Sequence, residues 1–165
     1  MIIIELDGIT IKISKSVINN MMKFKQDAFE KPEAGGILIG YYIQNNSFSI
    51  TDITTPTLYD KSSRFNFIRN IKSVQSTLKR LFKKSGGKKI YLGEWHTHPE
   101  NTPTPSGLDN KSIIDQLKFN QLNSDIIFMI IIGRNGFYIS SVKKWKIISF
   151  KTVLYIDVNN TNNAL

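Results

Sequence analysis

The sequence predicts one domain that is an α/β or α+β sandwich, and we expect the α/β class, with helices flanking a central mixed β-sheet. Apolar runs and alternating segments, which are typical of strands, are interleaved with segments whose apolar residues recur every three or four positions, as in helices. The chain has 165 residues, of which 41% are hydrophobic, and is long enough for a single core. Because no internal repeat or linker interrupts it, we expect one domain over residues 1–156 and a polar, disordered tail over 157–165.

The first elements are indicated by turn and capping residues. Residues 2–14 alternate apolar and polar side chains around Asp7-Gly8, a dipeptide favoured in two-residue hairpin turns, which predicts an opening β-hairpin. A helix capped by Ser14 or Ser16 should follow. The residues of its apolar face recur at helical spacing and are Val17, Met21, Phe24 and Ala28.

The remaining elements follow from hydrophobic periodicity. An apolar segment at 34–42 predicts an interior strand, which a turn at Asn45-Asn46 joins to a partner strand near 47–54. Two further helices are expected, at 71–84 and from Ser106 to about Asn120. The other predicted strands cover 89–95, 126–132, 137–142 and 146–156.

Composition narrows the classes of function. The chain has no Cys, which excludes disulfides, Cys-ligated zinc and Cys nucleophiles, and which fits a reducing compartment. We therefore expect a cytoplasmic protein. The longest apolar run, 126–132, is far shorter than the roughly 20 residues of a spanning helix. The first residues lack the basic region of a signal peptide, so no membrane segment is expected.

One segment is strongly basic. Between Lys61 and Lys89 there are ten Lys or Arg residues and no Asp or Glu. One interpretation is an electrostatic footprint for nucleic acid or for an acidic protein surface. The other, which we favour at this stage, is a solvated helix face in a chain that is rich in Lys throughout.

A metal site is indicated around residue 100. His96 and His98 are the only two histidines, and side chains two positions apart on an extended segment project to the same face. A Pro-rich loop then leads to Asp109, a third ligand of a kind that suits zinc. Three protein ligands leave one position for water, which is the pattern of catalytic rather than structural zinc.

Some of these residues have simpler interpretations. Ser106 and Asp109 also look like the N-cap and first turn of a helix, and Asp109 can serve both as a cap and as a ligand. Trp95 is expected in the core rather than in a substrate platform. The neighbouring Glu94 is not expected to be catalytic.

The complete pattern has a family resemblance. Glu33 upstream, then His96-x-His98, seven residues, Ser106, two residues and Asp109 resembles the JAMM motif of MPN/JAB-domain metallopeptidases. Segments 35–40 and 91–100 resemble sequence signatures of a bacterial branch of this family. The resemblance covers roughly residues 1–145. It implies a JAB/MPN-like sandwich of cytidine-deaminase-like architecture.

The resemblance also implies roles for the motif residues. Zn²⁺ would be bound by His96, His98 and Asp109, Glu33 would be the general base and acid, and Ser106 would stabilise the tetrahedral intermediate. Local sequence specifies Glu33 weakly, since Glu30 is a competitor, and the resemblance favours Glu33. A zinc deaminase is disfavoured because its Cys ligands are missing.

The bacterial branch implies a class of substrate. It includes the deconjugating peptidases of CBASS antiphage operons, which remove a cGAS-like nucleotidyltransferase from proteins joined to its C-terminus. The expected activity is zinc-dependent hydrolysis of the bond between a target amine and the C-terminal tail of such a protein, or of a ubiquitin-like protein. Residues 55–68 and the 99–105 loop are the expected docking surfaces for that tail. Two alternatives stay open, a RadC-like DNA-associated JAB domain and a non-catalytic MPN scaffold, although nucleic acid is the less favoured partner.

Overall fold

An eight-stranded mixed sheet organises the computed structural model, which describes residues 1–156. The strands in chain order are β1 (Ile2–Leu6), β2 (Ile9–Ile13), β3 (Gly35–Gln44), β4 (Ser47–Ile53), β5 (Lys61–Ser63), β6 (Asn66–Ile68), β7 (Ile90–Thr97), β8 (Ile126–Ile132), β9 (Gly136–Lys143) and β10 (Lys146–Leu154). The helices are α1 (Lys15–Met22), α2 (Ile71–Lys84) and α3 (Gly107–Phe119). The predicted tail at 157–165 lies outside the described residues.

The main sheet has the order β1-β2-β4-β3-β7-β8-β9-β10, and β5 and β6 form a separate hairpin. Neighbouring strands are antiparallel except for two parallel pairs, β2 with β4 and β7 with β8. The sheet is therefore mixed, and the predicted α/β fold class is confirmed. β7, which carries His96 and ends one residue before His98, lies in the middle of the sheet between β3 and β8.

Helices cover both faces of the sheet. α1 packs in one core cluster, into which Trp95 also projects, whereas α2 and α3 contribute to a second cluster. The residues that the last two helices add to this second cluster are Val74, Leu78, Leu81, Ile113, Ile114 and Leu117. Every residue of β8 is buried, which explains why its sequence is a continuous apolar run rather than an alternating one.

Two tight turns agree with the sequence. Asp7 and Gly8 have φ values of 45° and 78°, and Asn45 and Asn46 have φ values of 50° and 57°. Left-handed backbone at both central positions is the geometry of a type I′ hairpin turn, which Asn, Asp and Gly adopt most readily. Both predicted hairpins are confirmed.

The predicted extent of α1 is wrong, because the helix ends at Met22 and does not include Phe24 or Ala28. The segment that follows is held by Gln26, which is fully buried. The Gln26 side-chain amide donates hydrogen bonds to the carbonyl oxygens of Lys31, at 3.2 Å, and Arg64, at 2.9 Å, and its Oε1 accepts one from the Thr97 hydroxyl at 3.0 Å. This buried polar anchor fixes an irregular segment that leads directly to Glu33.

The hairpin of β5 and β6 was not predicted as secondary structure. Its strands have three residues each and no apolar alternation that would reveal them. The hairpin is tied to the sheet by main-chain contacts: the Glu33 amide donates to the Ser63 carbonyl at 2.7 Å, and Gln26 binds the Arg64 carbonyl. It forms most of the segment 55–68.

The other predicted elements lie within a few residues of their expected positions. α2 and α3 begin after the N-caps Asn70 and Ser106, and β10 ends two residues before the predicted limit. Among residues 1–156, no helix is both long enough and apolar enough to cross a bilayer.

Candidate active site

The register between β3 and β7 brings Glu33 to the histidines. Gly35 is the strand partner of His96, so the residue two positions before Gly35 lies at the same end of the sheet. Thr97 locks this register, because its hydroxyl accepts a hydrogen bond from the Ala34 amide at 3.0 Å and its own amide donates to the Ala34 carbonyl at 2.9 Å. A Cβ at position 35 would lie 2.7 Å from the Trp95 carbonyl oxygen and 2.9 Å from the Phe67 ring, so only glycine allows β7 and the β5–β6 hairpin to pack this closely on β3.

The start of α3 positions Asp109. The Ser106 hydroxyl accepts a hydrogen bond from the Asp109 amide at 3.1 Å, and Asp109 Oδ2 accepts one from the Ser106 amide at 2.7 Å. This reciprocal pair is a capping box. The expectation that these two residues form a helix start is confirmed, and the same cap aims the Asp109 carboxylate at the histidines.

Three donor groups form a compact triangle. The Nε2 atoms of His96 and His98 are 3.2 Å apart, Asp109 Oδ1 is 3.4 Å from Nε2 of His96, and Asp109 Oδ2 is 3.4 Å from Nε2 of His98. In a tetrahedral zinc site with bonds of about 2.0–2.1 Å, neighbouring ligand atoms are about 3.3–3.4 Å apart. The observed spacings are close to these values, with a different oxygen of Asp109 facing each imidazole, and the mixed imidazole and carboxylate donors suit zinc.

Glu33 lies next to this triangle. Ligand atoms of Glu33, His96 and His98 are all within 4.8 Å of one another, so these three residues also could hold a metal ion. Glu33 lines the cleft, whereas its competitor Glu30 is exposed in the preceding turn.

Burial and neighbouring charges set the protonation of the site. Burial raises the pKa of Glu33, and the nearby His96 and His98 oppose this only in part. For Asp109, burial would raise the pKa, but contacts with both imidazoles hold it well below its usual range. For His98, burial lowers the pKa, and the contact with Asp109 outweighs burial so that the net shift is upward. Asp109 is thus a firmly ionised carboxylate, as a metal ligand should be.

An open cleft of about 360 Å³ surrounds these groups. Its lining includes Glu33, both histidines, Ser106 and Asp109, so the structure brings all five motif residues together. Apolar side chains form its rim. They are Phe65 and Phe67 from the β5–β6 hairpin and Leu108 from α3. Phe65 and Leu108 are 74% and 72% exposed, which leaves them free to contact a ligand in the cleft.

Two further polar residues line the cleft. Glu94 forms an ion pair with Arg69 and accepts a hydrogen bond from the Tyr91 hydroxyl at 3.2 Å. The sequence analysis considered Glu94 without expecting a catalytic role, and it did not single out Arg69. The position of Glu94 in the cleft could have been predicted, because it shares a strand face with His96 two positions later, whereas no local signal indicates Arg69. Trp95 is 1% exposed and donates its indole N–H to the Thr54 carbonyl at 2.9 Å, so the expectation that it belongs to the core is confirmed.

Comparison with known proteins agrees with this geometry. The family model for prokaryotic homologs of the JAB domain matches residues 14–148. A CD-NTase/cGAS isopeptidase of Vibrio cholerae serotype O1 is 31% identical over 137 residues, which are 83% of this chain and 85% of that protein. A CD-NTase/cGAS isopeptidase of Pseudomonas aeruginosa is 35% identical over 129 residues, which are 78% of this chain and 80% of that protein.

The fold has a solved counterpart. A Desulfitobacterium hafniense protein, determined in solution, superimposes with a TM-score of 0.58 and 20% identity over 84% of this chain and 88% of that one. At that identity the likeness concerns the fold alone. The family model, by contrast, spans most of the chain, including β3, β7 and the start of α3, which carry the site. This chain therefore belongs to the prokaryotic JAB-domain family.

Proposed function

We propose that this protein is a zinc-dependent isopeptidase that hydrolyses the bond between a target amine and the C-terminus of a conjugated protein. The observation that carries the proposal is the triangle of His96, His98 and Asp109 at the base of an open cleft, with Glu33 beside it. The two relatives named CD-NTase/cGAS isopeptidases support the same class of activity.

The chain's own residues have distinct tasks in this reaction. His96, His98 and Asp109 would hold the zinc ion, which when bound lowers the pKa of water to about 7 and polarises a carbonyl. Glu33 accepts a proton from the attacking water as the new C–O bond forms. The same carboxyl group then gives that proton to the amine nitrogen as the C–N bond breaks. The raised pKa of Glu33 suits a group that must accept and then release a proton near neutral pH.

Ser106 is suited to stabilising the developing oxyanion. Its oxygen accepts a hydrogen bond from the Asp109 amide, and its hydroxyl donates to the Asp109 carboxylate, which helps to lower the pKa of that carboxyl. In the proposed reaction the same hydroxyl hydrogen turns from Asp109 to the oxyanion. Ser106 lines the cleft beside the metal-binding triangle. A donor that acts only where negative charge appears lowers the barrier without binding the ground state more tightly.

The substrate that fits this cleft is an extended protein tail. The β5–β6 hairpin is a two-stranded ribbon, and an extended peptide can pair with an unpartnered strand edge of such a ribbon. Apolar side chains of the tail would contact Phe65, Phe67 and Leu108 at the rim. From the names of the relatives, we propose the tail of a CD-NTase as the substrate, with a ubiquitin-like protein as the alternative. The role in antiphage defence and the cytoplasmic location belong to the same proposal.

Zinc binding should stabilise the fold. Zinc at about 100 times its Kd adds about 2.7 kcal/mol to the free energy of unfolding, which for a chain of this length raises the Tm by about 5–10 °C. Differential scanning fluorimetry of chelator-stripped protein, with and without zinc, measures this rise. Asp115→Asn removes another α3 carboxylate and should keep the full shift. The same shift in Asp109→Ala would contradict the ligand assignment.

Cleavage of a defined fusion tests the function. The substrate is a CD-NTase from the same organism, joined through its C-terminus to a fluorescent protein, and products are resolved by mass spectrometry. We expect zinc-loaded protein to cut after the last CD-NTase residue and chelator-stripped protein to leave the fusion intact. A parallel fusion to a ubiquitin-like protein tests the alternative substrate. If neither fusion is cut, the non-catalytic scaffold becomes the better interpretation.

A further inference from the structure

The positive charge of this chain is concentrated in one segment. Ten of the 22 Lys and Arg residues lie between Lys61 and Lys89, and none of the 13 Asp and Glu residues does. The rest of the chain thus has 12 basic and 13 acidic residues, a formal charge of −1. A chain that was merely rich in Lys would spread its excess along its whole length. The concentration therefore needs a local cause.

Helix α2 presents half of these cations on one exposed face. Lys72, Lys79 and Lys83 fall on a line opposite the buried side of the helix, and Arg80 and Lys84 lie to one side of that line. All five side chains belong to exposed residues. In the part of the chain that the structure describes, none of the five forms an ion pair, whereas Arg69 and Lys89 do. We call these five residues the α2 basic face.

Helix stability does not account for the α2 basic face. Lys79 with Lys83, and Arg80 with Lys84, are like charges four positions apart, an arrangement that destabilises a helix. The helix dipole favours cations only in the last turn, where Lys83 and Lys84 lie. The other three residues, Lys72, Lys79 and Arg80, gain no stabilisation from the helix dipole. Binding an external acidic group would remove this repulsion.

The helix that carries this face also borders a cavity that adjoins the catalytic cleft. A second cavity of about 210 Å³ is lined on one side by α2, through Ser73, Val74 and Thr77. Arg69 lines both this cavity and the catalytic cleft, so the two adjoin. A tail that reaches the metal-binding triangle through the second cavity places the body of its protein over α2.

We propose that the α2 basic face docks an acidic surface of the folded protein whose C-terminal tail enters the cleft. This inference rests on the proposed isopeptidase function. α2 is about 21 Å long, and a folded domain of about 100 residues has a radius of gyration of about 13 Å, so its body covers the whole helix. The one aromatic residue of α2, Phe82, lies beside the line of cations and next to Gly87, so aromatic side chains do not alternate with the cations as the stacking platforms of single-stranded nucleic acid sites do. An acidic protein surface is therefore the better match.

Neutralising the face tests the inference. The variant K79Q/R80Q/K83Q/K84Q is compared with K118Q/K144Q/K146Q/K151Q, which removes the same charge from exposed lysines elsewhere. Each is assayed on the whole CD-NTase fusion and on the isolated tail peptide joined to the same reporter. At low salt we expect the α2 variant to lose about 10-fold in kcat/KM on the fusion and to cut the peptide like the wild type. The control variant should stay within about 2-fold on both substrates.

Salt and the pattern of losses complete the test. The advantage of the wild type on the fusion should vanish near 0.5 M salt, where the screening length is only about 4 Å. An α2 variant that cuts the fusion as well as the wild type overturns the docking surface alone, as does an equal loss on fusion and peptide. If the α2 variant alone loses DNA binding and still cuts the fusion normally, the face binds nucleic acid and the proposed protein-docking surface is overturned. A wild type that cuts neither substrate overturns the proposed function and the docking surface together.

Discussion

Glu33→Gln should lower kcat for fusion cleavage by about 10³-fold while leaving zinc binding intact. The amide keeps the size of the side chain but cannot accept a proton from water or return it to the leaving amine. General acid–base catalysis contributes about 10²–10⁴-fold, and in the proposed mechanism Glu33 serves both steps. Steady-state kinetics on the fusion measures the loss in kcat, and metal titration against a chromophoric chelator measures the affinity for zinc.

The zinc measurement distinguishes two roles for Glu33. Its carboxylate also lies within metal-binding reach of His96 and His98, so a ligand role is geometrically available to it. If Glu33 is a ligand, the Gln variant loses zinc affinity together with activity. If it is the base, only kcat falls. Glu30→Gln is the matched control, because Glu30 is exposed three residues earlier, and it should behave like the wild type.

Asp109→Asn should abolish activity through loss of the metal. Asp109 supplies one corner of the triangle with His96 and His98, and a neutral amide is a much poorer ligand than a carboxylate. We expect zinc affinity to fall by more than the 10–100-fold that is typical of losing an outer-shell partner. Chelator competition measures the affinity, and cleavage of the fusion should drop to background at equimolar zinc.

Asp109 also caps α3, and a companion variant separates the cap from the metal. Ser106→Ala breaks the hydrogen bond from the Asp109 amide but leaves the carboxylate in place. It should cost about 1 kcal/mol of stability, the usual loss for an N-cap, with zinc affinity changed far less than in Asp109→Asn. Equal losses of zinc affinity in both variants would show that the cap, and not the carboxylate ligand, controls the site.

Local chemistry explains which parts of the fold could be predicted. The hairpin turns at Asp7-Gly8 and Asn45-Asn46 were predictable because their left-handed backbone demands particular residues. α2 and β8 were predictable because periodicity and continuous burial leave direct traces in sequence. The end of α1 was not, because it depends on Gln26, whose partners lie far along the chain at Arg64 and Thr97.

The residues of the site also fall into those that local sequence could predict and those that it could not. His96, His98 and Asp109 could be placed together because they are close in sequence and share one strand end and one helix cap. Glu33 is 63 residues from His96 and enters through the pairing of β3 with β7, so only the family resemblance indicated it. Arg69 follows a hairpin that leaves no periodic trace, and its contact with Glu94 is purely tertiary. The roles of the five motif residues stay predictions until the variants are measured.

The anchoring of the β5–β6 hairpin has a consequence for how this enzyme family can diversify. Gln26 and Glu33 donate hydrogen bonds to the main-chain carbonyls of Arg64 and Ser63 in the hairpin. Neither of these two bonds involves the side chain of Arg64 or of Ser63, so they do not depend on which side chains stand at positions 63 and 64. The Arg64 guanidinium, however, also donates to the Phe29 carbonyl and lies over the Phe29 ring, so Arg64 cannot change without loosening the segment that leads to the proposed general base. Point substitutions at the rim residues can therefore change which substrate tails bind. An insertion or deletion in the hairpin would instead move Glu33, the proposed general base.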